Sequence, residues 1–290
     1  MNNIEMRQYW SHDPSAGLVS NEQKQNTPDY LNRTLQDRME QNAWEGIFSG
    51  VLQDPDSHES RMILKEFGDL SVDENKRFQK VMDELKGRGV NKVVDLGCGI
   101  GRHTKKLLDR GFTVYASDLS PSALEYMRHN IGADLYNDYT SRGRLFVAQF
   151  DMYSEWPDEF KDVDAVVGIQ SLYHGNKEEV HGILSYIGHE VLVPEGVLGF
   201  SASKDVSRAI TGQNSNKLDS EQTTRPPGAY LNYPEGTSVP LIGREAGLPH
   251  YYIKWGEIPE LMLNVAEFEG YAAHDWNGLG YYFIYGYNPS

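Results

Sequence analysis

Thiols are nearly absent from this 290-residue chain, which has a single cysteine, Cys98. That excludes a disulfide framework within the chain, and it leaves no set of thiolates for a metal ion or a trivalent metalloid. Basic charge is scarce as well: 27 Lys and Arg stand against 42 Asp and Glu, a formal net charge of −15. Nucleic acid is held through basic faces, so it is not an expected partner. Long apolar runs are missing too. None approaches the ~18 residues of a membrane span, so no membrane partner is expected. The opening Met1-Asn2-Asn3-Ile4-Glu5 lacks the apolar stretch of a secretory signal, which makes the cytoplasm the expected location. There is no internal repeat and no low-complexity tract. Oligomeric state is not legible.

What is present is organised around Val93-Val94-Asp95-Leu96-Gly97-Cys98-Gly99-Ile100-Gly101-Arg102. This reads as a buried strand, a glycine turn and the start of a helix whose amides point back at the turn. The dinucleotide fingerprint G-x-G-x-x-G places a third glycine where this chain has Arg102, and the Gly-Lys-Ser/Thr of a phosphate-binding loop is absent. Three acids close three successive strands: Asp95 just before the turn, Asp118 after the second strand, Asp151 after the third. An acid in the position of Asp118 can accept both hydroxyls of a ribose.

Ahead of the turn, a helix is expected over 29–42. An apolar cluster (Trp44, Ile47, Phe48, Val51, Leu52) follows, and then a helical stripe of Phe78, Val81, Met82 and Leu85. Residues 1–70 read as an N-terminal helical cap or lid. Residues 71–290 read as the main domain, with an insertion on the substrate side at about 204–255. Within that domain strands are expected at 92–97, 112–116, 145–150, 163–169 and 197–203. Ser120-Pro121 starts a helix, as a serine cap followed by proline at the first helical position. A second stripe runs from Val180 to Val191, and a short helix is expected at 256–263. Val265–Tyr271 and Tyr281–Tyr287 read as a closing antiparallel hairpin. The expected class is α/β: a doubly wound, Rossmann-like, seven-stranded sheet with that hairpin at its end.

Several segments resemble class I S-adenosylmethionine-dependent methyltransferases. They are the stretch 93–101, Tyr115-Ala-Ser-Asp118-Leu-Ser-Pro, Phe150-Asp151-Met152, the run from Val163 through Gln170 to His174, and Pro194-Glu-Gly196. Gly247-Leu248-Pro249-His250-Tyr251-Tyr252 resembles a stretch in small-molecule methyltransferases similar to tellurite-resistance enzymes. The resemblance implies S-adenosylmethionine as cofactor. It implies that Gly97, Gly99 and Gly101 make room for the methionine moiety, that Asp95 and Gln170 lie near its ammonium, that Asp118 with Leu119 takes the ribose, and that Asp151 and Met152 take the adenine. His174 and His250 are the candidate catalytic residues, each able to orient or deprotonate an acceptor. Trp44, Tyr173, Tyr251 and Tyr252 are candidates to line the acceptor site. No metal site is read.

The expected function is methyl transfer to an oxygen or nitrogen of a small-molecule acceptor, in a role such as specialised metabolism. An NAD-dependent oxidoreductase and a non-catalytic adenosylmethionine-binding module are the alternatives. The acceptor itself, and which histidine acts as base, are not legible.

Overall fold

The computed structural model describes residues 43–67, 72–204, 230–232, 236–240, 245, 248–276 and 281–289. The helix expected over 29–42 lies outside them, as does most of the insertion. Among the described residues no helix is long and apolar enough to cross a membrane.

Five parallel strands form the centre: β1 (Lys92–Leu96), β2 (Thr113–Asp118), β3 (Leu145–Gln149), β4 (Val163–Gly168) and β5 (Leu192–Lys204), in the order β3-β2-β1-β4-β5. The closing hairpin is β9 (Gly270–Trp276) and β10 (Tyr281–Tyr287), with β10 antiparallel to β5. These are the seven expected strands. Three short ones from the insertion extend the sheet: β6 (Tyr230–Asn232), β7 (Thr237–Pro240) and β8 (His250–Ile253). β8 joins β5 at Ser203 and Lys204, beyond Phe200, where the pairing of β4 ends.

Alternation along β1 explains why the sheet is buried on both faces. Val94 and Leu96 enter one apolar cluster and Val93 the other. The first cluster is covered by α7 (Lys177–Tyr186), whose Val180, Ile183 and Leu184 supply the anticipated stripe; a following turn adds Ile187 and Val191. The second is covered by α3 (Val72–Gly87) through Phe78, Val81, Met82 and Leu85, and by α4 (Arg102–Asp109) through Leu107 and Leu108. Ser120 caps α5 (Pro121–Ile131) as expected, its side chain accepting from Ala123 N at 3.0 Å.

One expectation needs correction. The first strand of the hairpin starts at Gly270 rather than Val265, because the preceding chain stays helical through Leu261–Val265. Ala266 N donates to Leu261 O and Phe268 N to Met262 O, and Glu267 at φ 55 turns the chain into the strand. A further helix, α6 (Ala133–Ser141), carries no buried residue and so offers no apolar stripe to read.

The cap is present in its described part. Helices α1 (Ala43–Gln53) and α2 (His58–Phe67) place Ile47, Phe48, Val51 and Ile63 against Ile100 of the glycine turn and Ala123 of α5. Glu45 ties α1 down, accepting from Ser120 Oγ at 2.6 Å and from the amide and hydroxyl of Ser122.

Buried His103 is expected to contribute to acid sensitivity of the fold. His103, on the first turn of α4, packs on Phe78 with ring centroids 4.5 Å apart, and burial beside Arg102 and Lys106 holds its pKa well below the ordinary value. It is therefore neutral when folded, while the unfolded chain takes up the proton below about 6.5. The stability it contributes is present above that pH and is lost as pH falls below it. We expect His103→Gln to flatten the pH dependence of urea unfolding between pH 7 and 5; slopes equal to wild type would remove His103 as the cause.

Candidate active site

The turn between β1 and α4 is shaped by two different demands on glycine. Gly97 has φ 67, and a Cβ there would lie 2.5 Å from Ser171 Cβ and 3.4 Å from Met152 Cε. Here the chain itself fills the space: Ser171 Oγ donates to Leu96 O at 2.6 Å, locking the loop after β4 onto the end of β1. Gly99, at φ 54, is the opposite case, since a Cβ would meet nothing within 4 Å. Gly101 stands at the N-cap of α4.

The acids converge on this turn. Asp118 accepts from Gly99 N at 2.8 Å through one oxygen and from Ser120 N at 2.9 Å through the other; burial raises its pKa in spite of these bonds. Leu119 follows, its carbonyl accepting from Gln149. Asp95 is fully buried beneath the turn and accepts from Thr104 Oγ1 at 2.6 Å, and desolvation pushes its pKa up to about 6. Asp151 is buried and accepts from Tyr153 N at 2.9 Å, which turns the chain so that Met152 reaches over Gly97. Gln170 sits at the end of β4 with φ 59; its amide donates to Ser201 Oγ at 2.6 Å, and its side-chain oxygen accepts from Arg102. Arg102, in the position of the missing third glycine, thus spans from α4 to the β4 loop.

The second half of the site is aromatic and imidazole-rich. His174 packs against Tyr173 (centroids 4.3 Å), His250 (4.7 Å) and Trp44 of the cap (5.3 Å). Its Nδ1 is buried without a hydrogen-bond partner among the described residues. Burial, reinforced by the His250 ring, holds the pKa of His174 well below the ordinary imidazole value. His250 is 5% exposed, and its Nε2 lies 3.5 Å from Glu245 Oε2. One side-chain donor atom from each of His174, Glu245 and His250 falls within 4.8 Å of the others.

The topology explains this meeting. β8 pairs beyond the end of β4, and Tyr251 N donates to Tyr173 O at 2.9 Å, so the β4 loop and the insertion form one hydrogen-bonded unit. Strand alternation then sorts the three residues named at β8. His250 and Tyr252 share a face, with rings 6.4 Å apart. Tyr251 points the other way, into the core, 1% exposed and with its hydroxyl 3.3 Å from His181 Nε2. The structure brings Trp44, Tyr173, His174 and His250 together; it does not bring Tyr251 to them.

Sequence reasoning missed Glu245 and Glu45 as parts of this region, since neither belongs to a motif and each acquires its place only through a tertiary contact. Arg102 was visible at the third-glycine position, but its bond to Gln170 was not.

Comparisons with known proteins add the following. Residues 93–196 match a family model described as "Methyltransferase domain". No curated protein sequence matches the chain. Among solved structures, the magnesium protoporphyrin IX methyltransferase from Synechocystis PCC 6803 with bound SAH is 14% identical, with a TM-score of 0.52 over 83% of this chain and 99% of that one. An O-methyltransferase family protein from Burkholderia thailandensis is also 14% identical, with a TM-score of 0.51 over 93% of this chain and 69% of that one. Identity this low carries the fold.

Proposed function

We propose a function on one premise: residues 93–196 match a methyltransferase-domain model and lie in a Rossmann-like fold. The chain takes its methyl group from S-adenosylmethionine and passes it to an oxygen or nitrogen of a small molecule, a reaction suited to specialised metabolism. The observation that supports this most is the open face of Gly99 with the Asp118 carboxylate fixed beside it. The bound SAH of the Synechocystis neighbour is consistent with that cofactor.

Bound here, the cofactor supplies a methyl on a sulfonium that is already cationic, so alignment and exclusion of water are the main tasks left to the protein. Asp118, with Leu119, holds the ribose; Asp151 and Met152 hold the adenine; Asp95, Gln170 and the glycine turn hold the methionine end. Trp44 and Tyr173 close the acceptor side against water. His174 offers a buried nitrogen, and His250 stands beside it as the second group able to orient the acceptor or take its proton.

The test is Asp118→Ala. Calorimetric affinity for S-adenosylhomocysteine is expected to fall by more than ~1.4 kcal/mol, about tenfold. Unchanged affinity would remove the ribose assignment. A rise in melting temperature with NAD and none with S-adenosylhomocysteine would overturn the cofactor and favour an oxidoreductase.

A further inference from the structure

We propose that His174, Glu245 and His250 bind a divalent transition-metal ion. Two imidazole nitrogens and one carboxylate oxygen make a donor set suited to zinc and its first-row neighbours. The separation of 3.5 Å between His250 Nε2 and Glu245 Oε2 is already the edge of a tetrahedron around zinc, ~3.4 Å for bonds of ~2.1 Å. His174 is the third corner. All three donor atoms lie within 4.8 Å of one another.

Burial fits a held ion rather than a loose surface group. The His250 side chain is 6% exposed and that of Glu245 34%, which leaves one side of the cluster open. His174 Nδ1 is buried as well. The spacing is set from the backbone, because Tyr251 N donates to Tyr173 O at 2.9 Å and so fixes the residues next to both histidines.

Three protein ligands leave a fourth position vacant, as catalytic sites of this ion do. A hydroxyl or phenol oxygen seated there would lose its proton more readily, to water at the open side of the cluster, because both histidines then serve as ligands rather than as bases. The acceptor class is then an alcohol or a phenol, a step that rests on the methyl-transfer reading; ion binding itself does not.

The experiment strips the full-length chain with a chelator and titrates it with Zn²⁺ in a calorimeter, and with Co²⁺ followed by visible absorption. One equivalent is expected to bind, with Co²⁺ bands of a four- or five-coordinate ion. Glu245→Gln and His250→Ala each weaken Zn²⁺ binding ~tenfold or more. The exposed His189→Ala, whose imidazole pairs with Glu267, leaves it unchanged. If His250→Ala unfolds, Glu245→Gln carries the test. No bound Zn²⁺, or an equal loss in His189→Ala, overturns the site. S-adenosylhomocysteine is titrated into the same sample: its binding without Zn²⁺ overturns the metal site alone, and the absence of both overturns the cofactor reading as well.

Discussion

Gly97→Ala is expected to cost the protein both stability and its cofactor. The left-handed φ of 67 penalises any L side chain by ~1–2 kcal/mol. The new Cβ also lands 2.5 Å from Ser171 Cβ. That atom is one bond from the backbone and cannot swing aside as a flexible chain end does. Ser171 must move, and its 2.6 Å bond to Leu96 O is lost with it, at roughly 1 kcal/mol more. The melting temperature should drop by about 5 °C or more. S-adenosylhomocysteine binding should weaken beyond the tenfold expected for Asp118→Ala, because the loop carrying Gln170 shifts away from the turn. A variant that melts with the wild type and binds equally well would mean that the turn tolerates a side chain where the structure leaves none.

The second large effect is expected at the imidazoles. His174→Ala and His250→Ala should each lower turnover by ~100-fold or more, the contribution of a positioned proton acceptor or a ligand to the acceptor. Affinity for S-adenosylhomocysteine should stay within about twofold of wild type, since Asp118, Asp151 and the glycine turn are untouched. Both variants need an acceptor found by screening alcohols, phenols and amines with isotopically labelled cofactor. Full turnover in either variant removes that histidine from the chemistry. Loss of cofactor affinity together with turnover would make the pair structural, a prop for Trp44 and Tyr173.

Much of the structure around the glycine turn was legible in the sequence because it is local. The glycine turn, Asp118, Asp151 and the Ser120-Pro121 helix start are set by residues a few positions apart, and backbone sterics or capping leave few alternatives. β1 and β4 were legible for a similar reason: strands buried on both faces read as near-continuous apolar runs. The acceptor half was harder. His174 and His250 were visible as reactive residues, yet 76 positions separate them, and only the placement of β8 beyond β4 joins them. Glu245 had no signal at all. β6, β7 and β8 span three or four residues each, too short for alternation to register. Tyr251 shows the limit most clearly, since in sequence it is as eligible as Tyr252, and only the pleat assigns one to the core and the other to the face of His250.

The register of β8 has a consequence for how this site can change. The pairs Ser203–Tyr252 and Lys204–Ile253 fix the strand, and its period is two. Slipping it by one residue would present Tyr251 to the site and bury His250 in the core. Gains or losses of residues in the long connection before β8 leave that parity untouched, whereas a single residue added between His250 and Tyr252 reverses it. Diversification of the acceptor site can therefore proceed through loop length on one side of Pro249 and only through substitution on the other.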